Sequence, residues 1–169
     1  MKLAGALLAL LGSLLAGRQY AAGRRRELAC LRSLSAALML MESELSSRAS
    51  PLTVLVPLLA RESREPAAGF FSLLSAGLGA LGERSFRALW QEAASRSLSA
   101  LGDRELHAVL DLGSALGRYP LAQQTEAIRQ CRLQLAERQE TAGRQLRDDL
   151  RLSWGLSASF GLLLLLLCI

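Results

Sequence analysis

Residues 27–45 read ELACLRSLSAALMLMESEL, and the spacing of their apolar side chains decides the fold class. Leu28, Leu31, Leu34, Leu38, Met41 and Leu45 recur every three or four residues, which puts them on one face of an α-helix. The pattern predicts a helix from about Arg18 to Ala49 with one apolar stripe to bury. No segment shows sustained period-two alternation bounded by turn residues, so no sheet is predicted. The expected fold class is all-α.

Working outward, the breaker residues divide the rest of the chain into further helices. Ser50 before Pro51 predicts a start, with Ser50 as N-cap and the proline in the first turn, where its missing donor costs nothing. Pro66 marks the next connection, and Phe70, Phe71, Leu74 and Leu78 predict a short buried helix that Gly82 ends. Phe86, Leu89, Trp90, Ala93 and Leu98 supply another stripe before Gly102. Asp103 is expected as the N-cap of a helix through Leu106, Val109, Leu110 and Leu116, with Gly117 at its C′ position. From Pro120 a near-heptad seam of Ile128, Cys131, Leu135, Ala142, Leu146 and Leu150 predicts one last helix of about 50 residues. The expected architecture is an antiparallel helical bundle.

Charge is segregated along the chain. Hydrophobic residues make up 51% of the 169 residues and charged ones 21%, too apolar for an ordinary soluble protein and too charged for a polytopic one. Every Asp and Glu lies between Glu27 and Asp149, every arginine between Arg18 and Arg151, and Lys2 is the one other charged side chain. Two charge-free runs result, Leu3 to Gly17 and Leu152 to Ile169. A helix rises roughly 1.5 Å per residue against a hydrocarbon core about 30 Å thick. The second run nearly spans that core, and the first needs Lys2 and Arg18 to snorkel or the bilayer to thin. The expected domains are a transmembrane helix over residues 1–17, a helical bundle over 18–151 and a second transmembrane helix over 152–169.

Arg24, Arg25 and Arg26 follow the first run, and Arg144, Arg147 and Arg151 precede the second. Arginines beside a membrane entry resist translocation and meet anionic headgroups, so the middle of the chain is expected in the cytoplasm with both helices leaving outward. A cleaved leader is the competing reading of the N-terminus, since Ala21, Ala22 and Gly23 follow the short run. Within the runs, Gly5, Ala9, Ser13 and Gly17 repeat every fourth residue, and Gly155 with Ser159 gives the second run a similar small face. Such faces let helices approach closely within one chain or between subunits.

Motifs for catalysis are weak. Gly77, Gly79 and Gly82 satisfy the G-x-G-x-x-G string, but that fingerprint needs a strand before it and a helix opening after it. The preceding residues read as helical, so a glycine-rich connection is expected; a membrane-tethered nucleotide-dependent enzyme is the alternative. His107 has no metal-ligand spacing around it and is expected on a partly exposed helix surface. Cys30, Cys131 and Cys168 are far apart; Cys30 and Cys131 fall on or near apolar stripes and are expected as buried hydrophobes. Arginines interleaved with acids and scarce aromatics argue for a salt-bridged surface rather than a nucleic-acid site. No cofactor, metal, nucleic acid or small-molecule substrate is expected. A lipid-bound adaptor of another function is a further alternative.

The order of several residue groups resembles the stage III sporulation protein AB family of endospore-forming bacteria. These groups are Leu38 to Leu52 with Glu42, Glu44-Leu45 and Ser50-Pro51-Leu52; Phe70-Phe71; Leu89-Trp90; Asp111-Leu112-Gly113 with Leu116-Gly117; Gln123 or Gln124 before Ile128 and Leu133; and Trp154-Gly155. Pro57 and Pro120 depart from the family's pattern. The resemblance implies a non-enzymatic subunit of the channel joining mother cell and forespore, in the mother-cell membrane around the engulfed forespore. It also implies a bundle similar to the cytoplasmic domains of type II secretion platform proteins. The implied partners are the secretion-type ATPase of the same operon and other membrane subunits of the channel.

The orientation is testable directly: alkaline phosphatase fused at Ser75 is expected to be inactive, and a cytoplasmic fluorescent reporter at the same position bright. Phosphatase activity at Ser75 would overturn the predicted topology.

Overall fold

The computed structural model of the chain describes residues 2–116 and 118–168, with side chains described for residue 19 and for residues 21–116 and 118–147. Helix α1 spans Lys2–Arg48, α2 Leu52–Glu62, α3 Ala67–Gly77, α4 Phe86–Ser97, α5 Asp103–Ala115 and α6 Leu121–Cys168. A 3-10 turn, Leu78–Ala80, follows α3. Among the described residues there is no strand, only an isolated bridge between Leu81 and Arg84. The chain is all-helical, as its periodicity predicts. It divides into two compact units, Arg26–Gln139 and the pair of segments Met1–Arg25 and Glu140–Ile169.

In the first unit the predicted stripe of α1 is the core face: Leu28, Leu31, Leu34, Leu38, Met41 and Leu45 are all buried. Ile128, Cys131 and Leu135 of α6 are buried too, as the heptad seam requires. In the second unit Ala142 is buried and Leu146 half-buried, while Leu150 lies outside the described side chains. Helices α2 to α5 pack in chain order, α2 on α3, α3 on α4 and α4 on α5.

Helix boundaries follow local chemistry, and two of them correct the expected caps. Ser50 is not the N-cap of α2. Pro51 holds that position at φ −58° and ψ 144°, and its carbonyl accepts from Val54 N and Leu55 N at 2.9 and 3.0 Å. The one-residue shift arises because Ala49, at φ 48°, ends α1 in the left-handed region and leaves Ser50 in the connection. Likewise Gly102, extended at ψ 161°, caps α5, and Asp103 is its first residue. An acid in the first turn still complements the positive end of the helix dipole. Gly117 lies outside the described residues; α5 ends on Leu116, whose N–H donates to the Leu112 carbonyl. Gly82 does not end α3, which stops at Gly77, but turns the chain beyond the 3-10 segment at φ 114°, where a side chain would be strained.

Other ends are satisfied by side chains. Ser85 caps α4 by accepting from Ala88 N at 3.2 Å. Pro66 has no side-chain acceptor for α3, so the Glu65 carboxylate takes the Gly69 N–H at 3.2 Å. Buried Ser33 accepts from Ala67 N at 3.4 Å while donating to the Cys30 carbonyl at 3.1 Å, tying the start of α3 to α1. Pro57 sits inside α2 without ending it; the Thr53 carbonyl it deprives of a donor belongs to an exposed residue, where water can replace it.

The middle of the unit is organised by one aromatic cluster. Trp90 of α4 is fully buried and meets Phe70 edge-on at a centroid distance of 4.9 Å, with Phe71 at 6.3 Å and Phe86 at 5.8 Å. Its Nε1–H donates to the Val109 carbonyl of α5 at 2.7 Å. Val109 lies one turn before buried Gly113, and a Cβ on Gly113 would overlap the Trp90 indole. Gly113 is therefore required by packing, not by a special backbone angle.

Gly113→Ala is expected to lower stability by about 2–4 kcal/mol through overpacking and loss of the indole hydrogen bond. Gly79→Ala, where nothing lies within 4 Å, should change it by under about 1 kcal/mol. Denaturant unfolding of the two variants side by side checks this; equal effects would refute the packing account.

Candidate functional site

Two charged clusters connect α1 to α6. Arg138 reaches Glu27 through both Nη2 and Nε, at 2.7 and 3.0 Å from Oε1, and its Nε lies 3.8 Å from Glu105 Oε1. Glu27 and Glu105 are both buried, so one guanidinium holds two occluded carboxylates from α1 and α5. Farther along, Arg132 Nε lies 3.1 Å from Glu42 Oε2. Residue numbers rise on α1 as they fall on α6, which fixes these two helices as antiparallel.

The sequence suggested a solvated, salt-bridged surface, and part of the charge follows it. Arg48 pairs with Glu44, Arg84 and Arg96 share Glu92, and Arg144 pairs with Glu140. Hydrogen bonding by Arg84, above all, holds the Glu92 carboxyl below its usual pKa. Such exposed pairs contribute roughly 0–1 kcal/mol each. The Arg138 cluster is different in kind, and sequence reasoning missed it. The signal available was weak: Glu27 adjoins the core position Leu28, and Arg138 lies three residues beyond Leu135, so both border apolar stripes.

Between α1 and α6 runs an open groove of about 560 Å³, walled by Ser35, Ala36, Met39 and Leu40 on one side and Arg132 and Ala136 on the other. Its lining is mostly apolar although it faces solvent, and Met39 is 55% exposed. Leu133, one residue from Arg132, is 52% exposed. Neither lies on the apolar stripe of α1 or the seam of α6 that periodicity picks out for burial.

The motif residues sort themselves by environment. Gly77 ends α3, Gly79 lies in the 3-10 turn and Gly82 in the loop that follows; a helix precedes the string, and a Cβ on Gly77 would meet Leu89 at 3.2 Å. This is a connection between helices. His107 is exposed on α5, its Nδ1 2.6 Å from the Asp103 carbonyl. Cys30 and Cys131 are buried free thiols, and burial pushes their pKa values up to about 11 and about 12. They are core residues rather than nucleophiles. Among the described residues no group of His, Cys, Asp or Glu could hold a metal ion.

Of the residues expected at the bilayer, Arg25, Arg26, Arg144 and Arg147 are exposed and Arg24 is half-buried. Arg151, Gly5, Ala9, Ser13, Gly17, Gly155 and Ser159 lie outside the residues whose side chains are described, as do both predicted membrane runs. Among the described residues no helix is long and apolar enough to cross a membrane.

These features define an all-α helical-bundle protein whose distinctive surface is a groove between its first and last helices. The family model of stage III sporulation protein AB matches residues 2–169, and the chain belongs to that family. A solved structure titled stage III sporulation protein AB is similar to the chain, with 22% sequence identity and a TM-score of 0.63 over 72% of this chain and 97% of that one. At that identity the likeness shows the fold. Among curated proteins, none matches. Membership associates the chain with sporulation.

Arg138→Met removes the cation shared by buried Glu27 and Glu105 and is expected to cost about 3–5 kcal/mol. The triple variant Glu27→Gln, Glu105→Gln, Arg138→Met should recover most of that loss, because no charge is then buried unpaired. Chemical denaturation reads both; a triple variant no more stable than the single one would sink the explanation.

Proposed function

We propose that the chain is a non-catalytic, membrane-anchored platform subunit of the sporulation channel complex between mother cell and forespore. In this reading the Arg26–Gln139 unit stands in the mother-cell cytoplasm and docks the secretion-type ATPase of the same operon together with neighbouring membrane subunits. ATP chemistry belongs to that partner.

The observation that carries the reading is the family match over residues 2–169, which takes in the helical unit and both charge-free terminal runs. Exposed Arg25, Arg26 and Arg147 support it, because cations flanking an apolar run are retained on the cytoplasmic side and contact anionic headgroups. The small-residue faces of Gly5, Ala9, Ser13 and Gly17, and of Gly155 and Ser159, would serve packing between the two spans or against other membrane subunits. An all-helical unit braced by the Arg138 cluster suits a role in which a surface is presented rather than a reaction performed.

The test is co-purification. The full chain in lipid nanodiscs is expected to retain the ATPase specifically, and the same chain without residues 26–139 should not. No specific retention by the full chain would remove the platform reading, and retention of empty anionic vesicles alone would favour a lipid-bound adaptor.

A further inference from the structure

We infer that the groove between α1 and α6 is the docking site for an amphipathic helix of a partner protein, one with an apolar stripe and acidic residues at both ends. The inference deepens the platform reading and rests on it in requiring a protein partner.

The groove's chemistry selects this occupant. Its α1 wall, from Ser35 to Ser43, rises roughly 12 Å, about two helical turns. That length matches the apolar i, i+3, i+4, i+7 face of one short helix. Met39, Leu40 and Ala36 from one side and Ala136 from the other line a solvent-open surface that water covers poorly.

Polar groups in the wall are also incomplete. Ser35 Oγ and Arg132 Nε are buried and make no hydrogen bond; Arg132 Nε meets Glu42 as an ion pair without hydrogen-bond alignment.

Charge decides the sign at the groove's ends. Arg32 lies three and four residues before Ser35 and Ala36, on their face of α1, and is exposed. Arg129 lies three residues before Arg132 on α6 and is also exposed. Because α1 and α6 run antiparallel, these arginines stand at opposite ends of the groove. Glu42 is already paired with Arg132, the one charged residue that lines the groove among the described residues. An occupant with carboxylates one turn before and one turn after its apolar stripe pairs with both arginines.

Photocrosslinking in sporulating cells tests the site on the full chain, with a benzophenone amino acid placed at Met39 or Ala136 in the groove, or at Val54 or Tyr119 elsewhere on the bundle. Positions 39 and 136 should give adducts to one and the same partner peptide, of helical periodicity with Asp or Glu flanking its apolar stripe. Arg32→Glu with Arg129→Glu should cut adduct yield at least about tenfold, whereas Arg87→Glu with Arg104→Glu, also exposed, should leave it unchanged. All four arginines are exposed, and unchanged helical circular dichroism verifies folding. Adducts only to phospholipid, only to a second copy of the chain, only from positions 54 or 119, or unaffected by the Arg32 and Arg129 reversal would each overturn the inference. ATPase retention without groove adducts refutes the groove and leaves the platform reading standing. Groove adducts to an acidic-ended helix of another protein, with no ATPase retention, refute ATPase docking and leave the groove.

Discussion

The contact between Trp90 and Gly113 is the constraint on which the Arg26–Gln139 unit depends. An indole is the largest side chain to bury, and it carries a donor that must be satisfied once water is excluded. Here the donor ends on the Val109 carbonyl, and the ring occupies the space that any side chain at position 113 would need. The same ring presents its edges and faces to Phe70, Phe71 and Phe86, so one residue of α4 sets the approach of α3 on one side and α5 on the other. Four short elements of 11 to 13 residues could not be stable separately, since helices this short are marginal in water. Burial of α3, α4 and α5 against a shared aromatic centre, and of α2 against α3, makes them helices at all.

The long helices are held by a different force. The cluster of Arg138 with Glu27 and Glu105 joins α1 and α6 by charge-assisted hydrogen bonds and α5 by a longer ion pair, where an apolar triad would have packed as well or better. What charge adds is register. A helix sliding by one residue along an apolar stripe exchanges one leucine contact for another at small cost, but sliding Glu27 away from Arg138 breaks a part-buried hydrogen-bonded ion pair. Apolar packing thus supplies cohesion, and the ion cluster selects one alignment among those that packing tolerates.

Much of this was legible in the sequence, and the division between what was and was not is physical. The α1 stripe from Leu28 to Leu45 and the α6 seam at Ile128, Cys131 and Leu135 were readable because periodicity is a local property that burial obeys. Phe70, Phe71, Leu89 and Trp90 were readable as apolar stripes of separate helices, and Leu112 and Gly113 only as points of resemblance; the structure brings Trp90 and Gly113 together across two helices. Caps at Ser50 and Asp103 were each misplaced by one residue, since a proline or an extended glycine carbonyl can start a helix without a side-chain cap. Ser85 went unnoticed, although a serine directly before an apolar stripe is the ordinary signal. The Arg138 cluster and the groove were not legible, because both depend on which residues of α1 and α6, separated by about a hundred positions, come to face one another.

This arrangement also explains how a bundle of this size can present a surface on its helices. Helices α1 and α6 each give one face to the core, which fixes their rotation about their own axes. The neighbouring face is then fixed too, because a helix cannot turn Met39 inward without turning Leu38 and Met41 out. The groove at Ser35, Met39 and Ala136 is consequently as well ordered as the core behind it, held by the side chains that bury Leu34, Leu38 and Leu135. A docking surface built on regular helices loses little conformational entropy when occupied, so small apolar and ionic contacts count in full toward recognition. Specificity then rests with the few positions that core packing does not use, the exposed apolar residues and the arginines at either end.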